Sequence, residues 1–184
     1  MKKTAVIYQS KYGHTKKYAA WLSEALKADL LPARTVKPQQ MAEYDIIIFG
    51  GGLYAGGLNG SKLLTENFSV LQNKAVIVFT CGLADPANKT NTEHIKESLK
   101  KTFTADMTEK IKFFHLRSGI NYAELGIVHK AMMAMLYHNL QKAEKETLTD
   151  EDKELIATYG QTIDFTDQAA LAPIIEYAAE LQKS

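Results

Sequence analysis

The chain has 184 residues, 46% apolar and 23% charged, with 22 Lys/Arg against 21 Asp/Glu. That is enough for one α/β domain with a sizeable core and too little for two. Without an apolar run near the roughly 20 residues that span a bilayer, with a start "MKKTAVIYQS" too short for a signal peptide and with one cysteine, Cys81, the sequence excludes a transmembrane segment, a disulfide framework and a multi-cysteine metal site, and a reducing cytoplasm is the expected setting. The charge is uneven: residues 1–120 carry 17 Lys/Arg and 10 Asp/Glu, or +7, whereas residues 121–184 carry 5 and 11, or −6. The lysines are scattered, with no arginine cluster or interleaved aromatic platform, so nucleic acid is not an expected partner.

In chain order, "TAVIYQS" (4–10) reads as a buried strand rich in β-branched residues. Tyr18, Leu22, Ala25 and Leu26 follow at helical spacing, and "LLPARTV" (30–36) is a weaker strand placed near an edge by Pro32, which cannot donate to a ladder. "YDIIIFG" (44–50) and "KAVIVFT" (74–80) are apolar on both faces, as parallel strands covered by helices must be. Between them Leu63, Leu64, Phe68 and Leu71 mark one side of a helix. A helix over "TNTEHIKESLKKTF" is expected to be capped by Asn91 or Thr92, and "EKIKFFHLR" (109–117) is a fifth strand. A long helix over "NYAELGIVHKAMMAMLYHNLQK", an acidic one opened by Thr149 or Asp150, and a closing one whose start Pro173 leaves open complete the chain.

Five parallel strands alternating with helices predict a three-layer αβα sandwich in which ligands bind beyond the carboxyl ends of the strands. Three loops there carry chemistry. The first is "SKYGHT": Ser10, Lys11, Tyr12, Gly13, His14 and Thr15 combine hydroxyls and a permissive glycine with a helix start, where unpaired amides and the helix dipole favour an anion. A tight turn with a helix cap is the other reading of the same residues. No G-x-x-x-x-G-K-[ST] motif occurs, which points to a single phosphate rather than a triphosphate. The second is "GGGLYAGGLNGS". Gly50, Gly52 and Ala55 formally match a dinucleotide fingerprint, but it lies after the wrong strand, its helix is delayed and no acidic residue follows at the required distance. A glycine-rich loop presenting Leu53 and Tyr54 to a flat ring fits better. In the third, "FTCGLADPAN", Thr80, Gly82 and nearby amides suit the polar edge of a planar heterocycle, with Cys81 and Leu83 beside them. No base accompanies Cys81, so it reads as a small buried thiol. The five histidines show no metal-binding spacing, and a metal site is not expected. Met132, Met133, Met135, Leu136 and Tyr137 read first as core packing and second as an apolar wall or membrane-facing patch.

In order along the chain, these three loops resemble the flavodoxin family, in which S/T-x-[TY]-G-x-T binds the FMN phosphate and the two later loops hold the isoalloxazine. The resemblance covers about residues 3–165 and implies a five-stranded parallel sheet of order 2-1-3-4-5. It also implies FMN contacts from Ser10–Thr15, Gly52–Ala55 and Thr80–Leu83. The stretch "HLRSGINYAELGIVHKAMMAML" further resembles flavodoxin-like protoporphyrinogen oxidases, which pass substrate electrons through FMN to a membrane quinone. This implies an oxidoreductase with a quinone acceptor and peripheral membrane contact; Arg117, near the edge of the fifth strand, is the candidate contact for an anionic substrate. The chain differs from those enzymes in having Leu53, Tyr54 and Ala55 where they often carry a basic and an aromatic residue, and no arginine or tryptophan after Arg117. An electron carrier is the alternative, against which stand the net charge of +1 and the Met-rich segment; a flavin-free interaction protein is the third reading.

Overall fold

The structure is a computed structural model that describes residues 2–54 and 57–183. Strand β1 (Thr4–Gln9) leads into helix α1 (His14–Leu26), followed by β2 (Asp29–Pro32), helix α2 (Pro38–Ala42) and β3 (Ile46–Tyr54). A two-residue β4 (Gly57–Leu58) precedes short helices α3 (Lys62–Thr65) and α4 (Phe68–Leu71), then β5 (Ala75–Gly82), α5 (Lys89–Lys100), α6 (Ala105–Lys110) and β6 (Ile111–Arg117). The last third contains β7 (Gly119–Asn121), α7 (Ile127–Lys142), α8 (Asp150–Thr158), β8 (Thr162–Asp164) and α9 (Ala172–Lys183). The parallel strands run β2-β1-β3-β5-β6, so the predicted order holds with β5 and β6 as the fourth and fifth parallel strands.

Strand alternation divides the core between two faces. Ile7, Ile47, Phe49, Val76 and Val78 pack on one side with Met41, Leu64, Leu71, Ile95 and Leu99 from the helices between α2 and α5. Val6, Ile46, Ile48, Ile77 and Phe79 pack on the other with Tyr18 and Leu22 of α1 and Ile174 and Ala178 of α9.

Several expectations change. The weak strand at 30–36 stops at Pro32, and Ala33–Thr35 form a 3-10 turn. The helix expected around Leu63–Leu71 is two four-residue pieces. Helix α5 begins earlier than expected and is capped by Asn88, whose Oδ1 accepts from the Thr90 N–H at 3.0 Å. Thr149 caps α8 and accepts from the Asp152 N–H. Pro173 falls in the first turn of α9, where its missing N–H costs nothing, so the helix starts late rather than kinking.

The largest departure lies between residues 118 and 126. The helix expected to begin near Asn121 begins at Ile127, because Gly119–Asn121 pair antiparallel with Thr162–Asp164. Gly119 permits the contact: a Cβ there would stand 2.2 Å from the Ile163 carbonyl oxygen and 2.7 Å from His14 Nε2. Helix α7 buries none of its residues, with Ile127 88%, Val128 69% and Met135 64% exposed. Core packing is therefore not the role of its methionines. Among the described residues, no helix is long and apolar enough to cross a membrane.

His115 on β6 reports on packing at the sheet edge. Its Nδ1 pairs with Thr80 Oγ1 at 2.9 Å, and burial, with a smaller contribution from Lys96, lowers its pKa from 6.5 to about 4. Between those values the unfolded chain binds more protons, so stability falls as pH drops from 6.5 towards 4. The gap corresponds to about 3 kcal/mol for a fully buried group, reduced to about 1–2 kcal/mol by solvent screening at this half-buried site. Urea unfolding at pH 7 and pH 4 should show His115→Asn losing that much less stability than the wild type over the interval.

Candidate functional site: a cleft at the carboxyl edge

A cleft of about 170 Å³ opens where β1, β3, β5 and β6 end. It is lined by Ser10, Tyr12, His14 and Thr15 from the first loop, Gly52, Leu53 and Tyr54 from the second, and Cys81, Gly82 and Leu83 from the third. Ser118–Asn121 and Leu125 after β6 and His129 from α7, which the sequence did not single out as contacts, complete it with Met132 and Met133 of α7, whose second reading was an apolar wall.

The first loop decides between cap and cradle. Gly13 is the N-cap of α1, has φ +94°, and supplies no side chain to satisfy the first turn. Among the described residues the amides of His14, Thr15 and Lys16 have no acceptor; only the Lys17 N–H turns back, to the Gly13 carbonyl at 2.9 Å. Ser10 Oγ accepts the Gly13 N–H at 3.0 Å, which folds the loop and leaves the Ser10 proton free to donate. Three open amides, one hydroxyl and the positive end of a 13-residue helix form a donor set for one phosphate. A Cβ at Gly13 would meet nothing within 4 Å, so the space before these donors is open.

The other hydroxyls of the motif are used differently from the expectation. The Thr15 hydroxyl bonds the Cys81 sulfur, and Tyr12 Oη accepts the Gly126 N–H at 3.3 Å and lies 2.7 Å from His129 Nδ1. His14 points inward, not to solvent: its side chain is 18% exposed and its Nε2 is 3.9 Å from Asp164 Oδ1. Burial lowers its pKa against the opposing pull of Asp164. Lys17 Nζ donates to Asp164 Oδ2 and to Thr166 Oγ1, each at 2.7 Å. Burial disfavours the Asp164 charge, but the bonds it accepts from Lys17 and from the Thr166 hydroxyl and N–H outweigh this and hold the carboxyl well below the usual carboxylate range. Strand β8 is thereby fastened to the first loop.

The described residues of the second loop lie partly in strands. Residues 50–54 continue β3, and Leu53 and Tyr54 pair antiparallel with Leu58 and Gly57. The glycines serve close packing: a Cβ on Gly50 would lie 2.1 Å from Phe79 Cζ, and one on Gly52 would lie 2.7 Å from the Tyr54 ring. Tyr54 is thus held at the rim of the cleft, and burial, aided by Tyr12, raises its phenol to about 12, keeping it neutral. Ala55 lies outside the described residues.

Three further expected contacts are placed elsewhere. Thr80 is fully buried within β5, which runs on through Gly82, and bonds His115 instead of facing the cleft. Lys11 is exposed and its Nζ lies over the Tyr12 ring at 5.5 Å. The Arg117 guanidinium pairs with Glu154 and Asp85, donates through Nε to the Leu83 carbonyl at 3.3 Å, and stacks 3.7 Å from the Phe165 ring centroid. Its charge is already met, so it braces the third loop against α8. Cys81 is buried, and burial raises its thiol to about 12 despite the Thr15 bond, which removes it as a nucleophile at neutral pH.

Beside the cleft lies a second cavity of about 360 Å³, sharing Leu83, Ile120 and Met133 with it. Its wall is apolar through Leu136, Leu155, Ile163 and Phe165, and Glu151, Asp152 and Glu154 face it together with Arg117.

A family model described as "Flavodoxin domain" matches residues 5–147. No curated protein matches the chain. Among solved structures the chain is similar to the flavodoxin, WrbA-like protein from Agrobacterium tumefaciens, with 21% identity over 62% of this chain and 83% of that one and a TM-score of 0.42. It is likewise similar to two-electron reduced flavodoxin from Megasphaera elsdenii, with 17% identity, 61% and 82% coverage and a TM-score of 0.44. A flavoprotein in complex with FMN from Lactobacillus acidophilus gives 16% identity, 64% and 93% coverage and a TM-score of 0.40. The match to the family model, over most of the length and across the phosphate cradle, supports FMN as the cofactor of the cleft: the chain belongs to the flavodoxin domain family.

Proposed function

We propose that this protein is an FMN-dependent oxidoreductase that passes electrons from a reduced substrate to a small uncharged ring acceptor such as a quinone. The observation that carries this reading is the second cavity adjoining the flavin cleft. An electron carrier needs only an exposed ring edge, whereas a chamber beside the cofactor seats a substrate. FMN held in this cleft would supply the redox chemistry, taking two electrons from the reduced substrate and giving two electrons and two protons to the quinone, which would become a hydroquinone.

The residues supply binding and shielding. Ser10 and the amides of His14–Lys16 hold the phosphate, Tyr54 covers the ring, and Leu53, Leu83, Met132 and Met133 keep water from it. Three carboxylates against one engaged arginine in the second cavity work against polyanionic partners. This favours an uncharged quinone over NAD(P)H, and also over a porphyrinogen bearing carboxylates, the substrate that the sequence resemblance implied. Exposed Ile127, Val128 and Met135 on α7 suit contact with an apolar phase holding a lipid-soluble quinone.

The test reduces FMN-loaded protein with dithionite and mixes it with acceptors. Neutral naphthoquinone should reoxidise it at least about tenfold faster than sulfonated naphthoquinone or ferricyanide, tenfold being about 1.4 kcal/mol of barrier. Equal rates with ferricyanide would favour the carrier, and rapid reduction of the oxidised protein by porphyrinogen would restore that substrate.

A further inference from the structure

The cleft contains two ring faces set nearly parallel, and the sequence suggests only one of them. Tyr54, at the end of β3, and His129, in the first turn of α7, have planes 16° apart and centroids 5.1 Å apart. Tyr12 stands edge-on to both, at 5.9 Å and 76° from Tyr54 and at 5.7 Å and 63° from His129. Tyr12 Oη accepts the Gly126 N–H and is hydrogen-bonded to His129 Nδ1 at 2.7 Å. The phosphate loop therefore fixes the tilt of the His129 ring, and the third loop, Thr80–Ala84, contains no aromatic residue to do the same work.

We propose that His129 is a flavin-binding residue, gripping the isoalloxazine on the face opposite Tyr54, and that Tyr12 is its positioning residue. The inference rests on the FMN reading of the cleft. A flat ring between two others needs two contact layers of about 3.5 Å, or about 7 Å in all. The present centroid separation of 5.1 Å therefore requires the two rings to part by at least about 2 Å. The movable side is α7, which buries none of its residues and is preceded by Gly126. Binding to the ring accordingly pushes outward a helix that the fold holds weakly, and the rest of the α7 wall, with Met132 and Met133, follows His129.

The experiment compares FMN and riboflavin, which share the ring and differ in the phosphate, by fluorescence quenching on the flavin-free protein and by the visible spectrum of the bound flavin. Aromatic contacts of this kind correspond to about a tenfold change in affinity. His129→Ala should weaken both flavins by about that factor and alter the visible band of bound FMN, while His129→Phe should restore most of the affinity by keeping a ring face. Tyr12→Phe, which keeps its ring and loses the hydroxyl, should weaken both flavins by a smaller, equal factor. Unchanged affinity and spectrum in His129→Ala, or a loss confined to FMN, would overturn the assignment. So would a folded His129→Phe variant no better than His129→Ala. A wild-type protein that binds neither flavin overturns the FMN reading and this inference together, whereas wild-type binding with indifferent His129 variants overturns this inference alone.

Discussion

Ser10→Asp is expected to make the flavin-free protein more stable and at the same time reduce its affinity for FMN by at least about 100-fold. The amides of His14, Thr15 and Lys16 have no acceptor among the described residues, and the N-cap, Gly13, offers them none. Ser10 sits beside them, its Oγ 3.0 Å from the Gly13 nitrogen. A carboxylate at this position accepts from the open amides and meets the positive end of α1, which stabilises a helix by about 0.5–1 kcal/mol. The same carboxylate occupies the cradle and repels a phosphate that carries its own negative charge. Riboflavin, lacking the phosphate, should bind the variant within about threefold of the wild type. Thermal unfolding and the two titrations separate the effects, and an equal loss for riboflavin would show that Ser10 does not face the phosphate.

Gly50→Ala is expected to destabilise the protein by about 2–3 kcal/mol, through a clash that reaches the cleft indirectly. Gly50 pairs in register with Phe79, and a Cβ on Gly50 would stand 2.1 Å from Phe79 Cζ, inside a fully buried ring. Neither strand can retreat, since β3 is flanked by β1 and β5 and β5 by β3 and β6. Phe79→Leu shortens the opposing side chain and should relieve much of the strain. The double variant is then more stable than the sum of the two single losses predicts, by about 1–2 kcal/mol. Denaturant unfolding of the four proteins measures this, and simple additivity would contradict the packing described. Both residues lie just below the points where β3 and β5 deliver Tyr54 and Leu83, so flavin affinity should fall alongside stability in Gly50→Ala.

The sheet was legible because its central strands are apolar on both faces: Ile46–Phe49 and Val76–Phe79 bury completely or nearly so. The phosphate loop was legible as a site from its composition, but the use of its hydroxyls was not. Tyr12 finds its partners, Gly126 and His129, more than a hundred residues away, and Thr15 finds Cys81 across the sheet, so the donors left open at this loop are backbone amides rather than those side chains. Thr80 was misplaced because β5 outlasts its apolar run, continuing through Cys81 and Gly82 and leaving Thr80 inside the sheet. Arg117 was read without Glu154 and Asp85, which reach it from a later helix and from the third loop. The pairing of β7 with β8 spans some forty residues, and three-residue strands have no periodicity to read. Helix α7 was visible as a helix, but its weak burial and its place at the cleft arise from that pairing, which carries the chain back over the carboxyl edge.

A cradle for one phosphate and a slot for one flat ring share the cleft, and a fluorescence titration of FMN into the flavin-free protein tests both at once. Saturable quenching at one FMN per chain, with clearly tighter binding than riboflavin, is the result expected of such a cleft. Flavin fluorescence that stays unchanged to saturating protein, or affinity with no preference for the phosphorylated form, would contradict it.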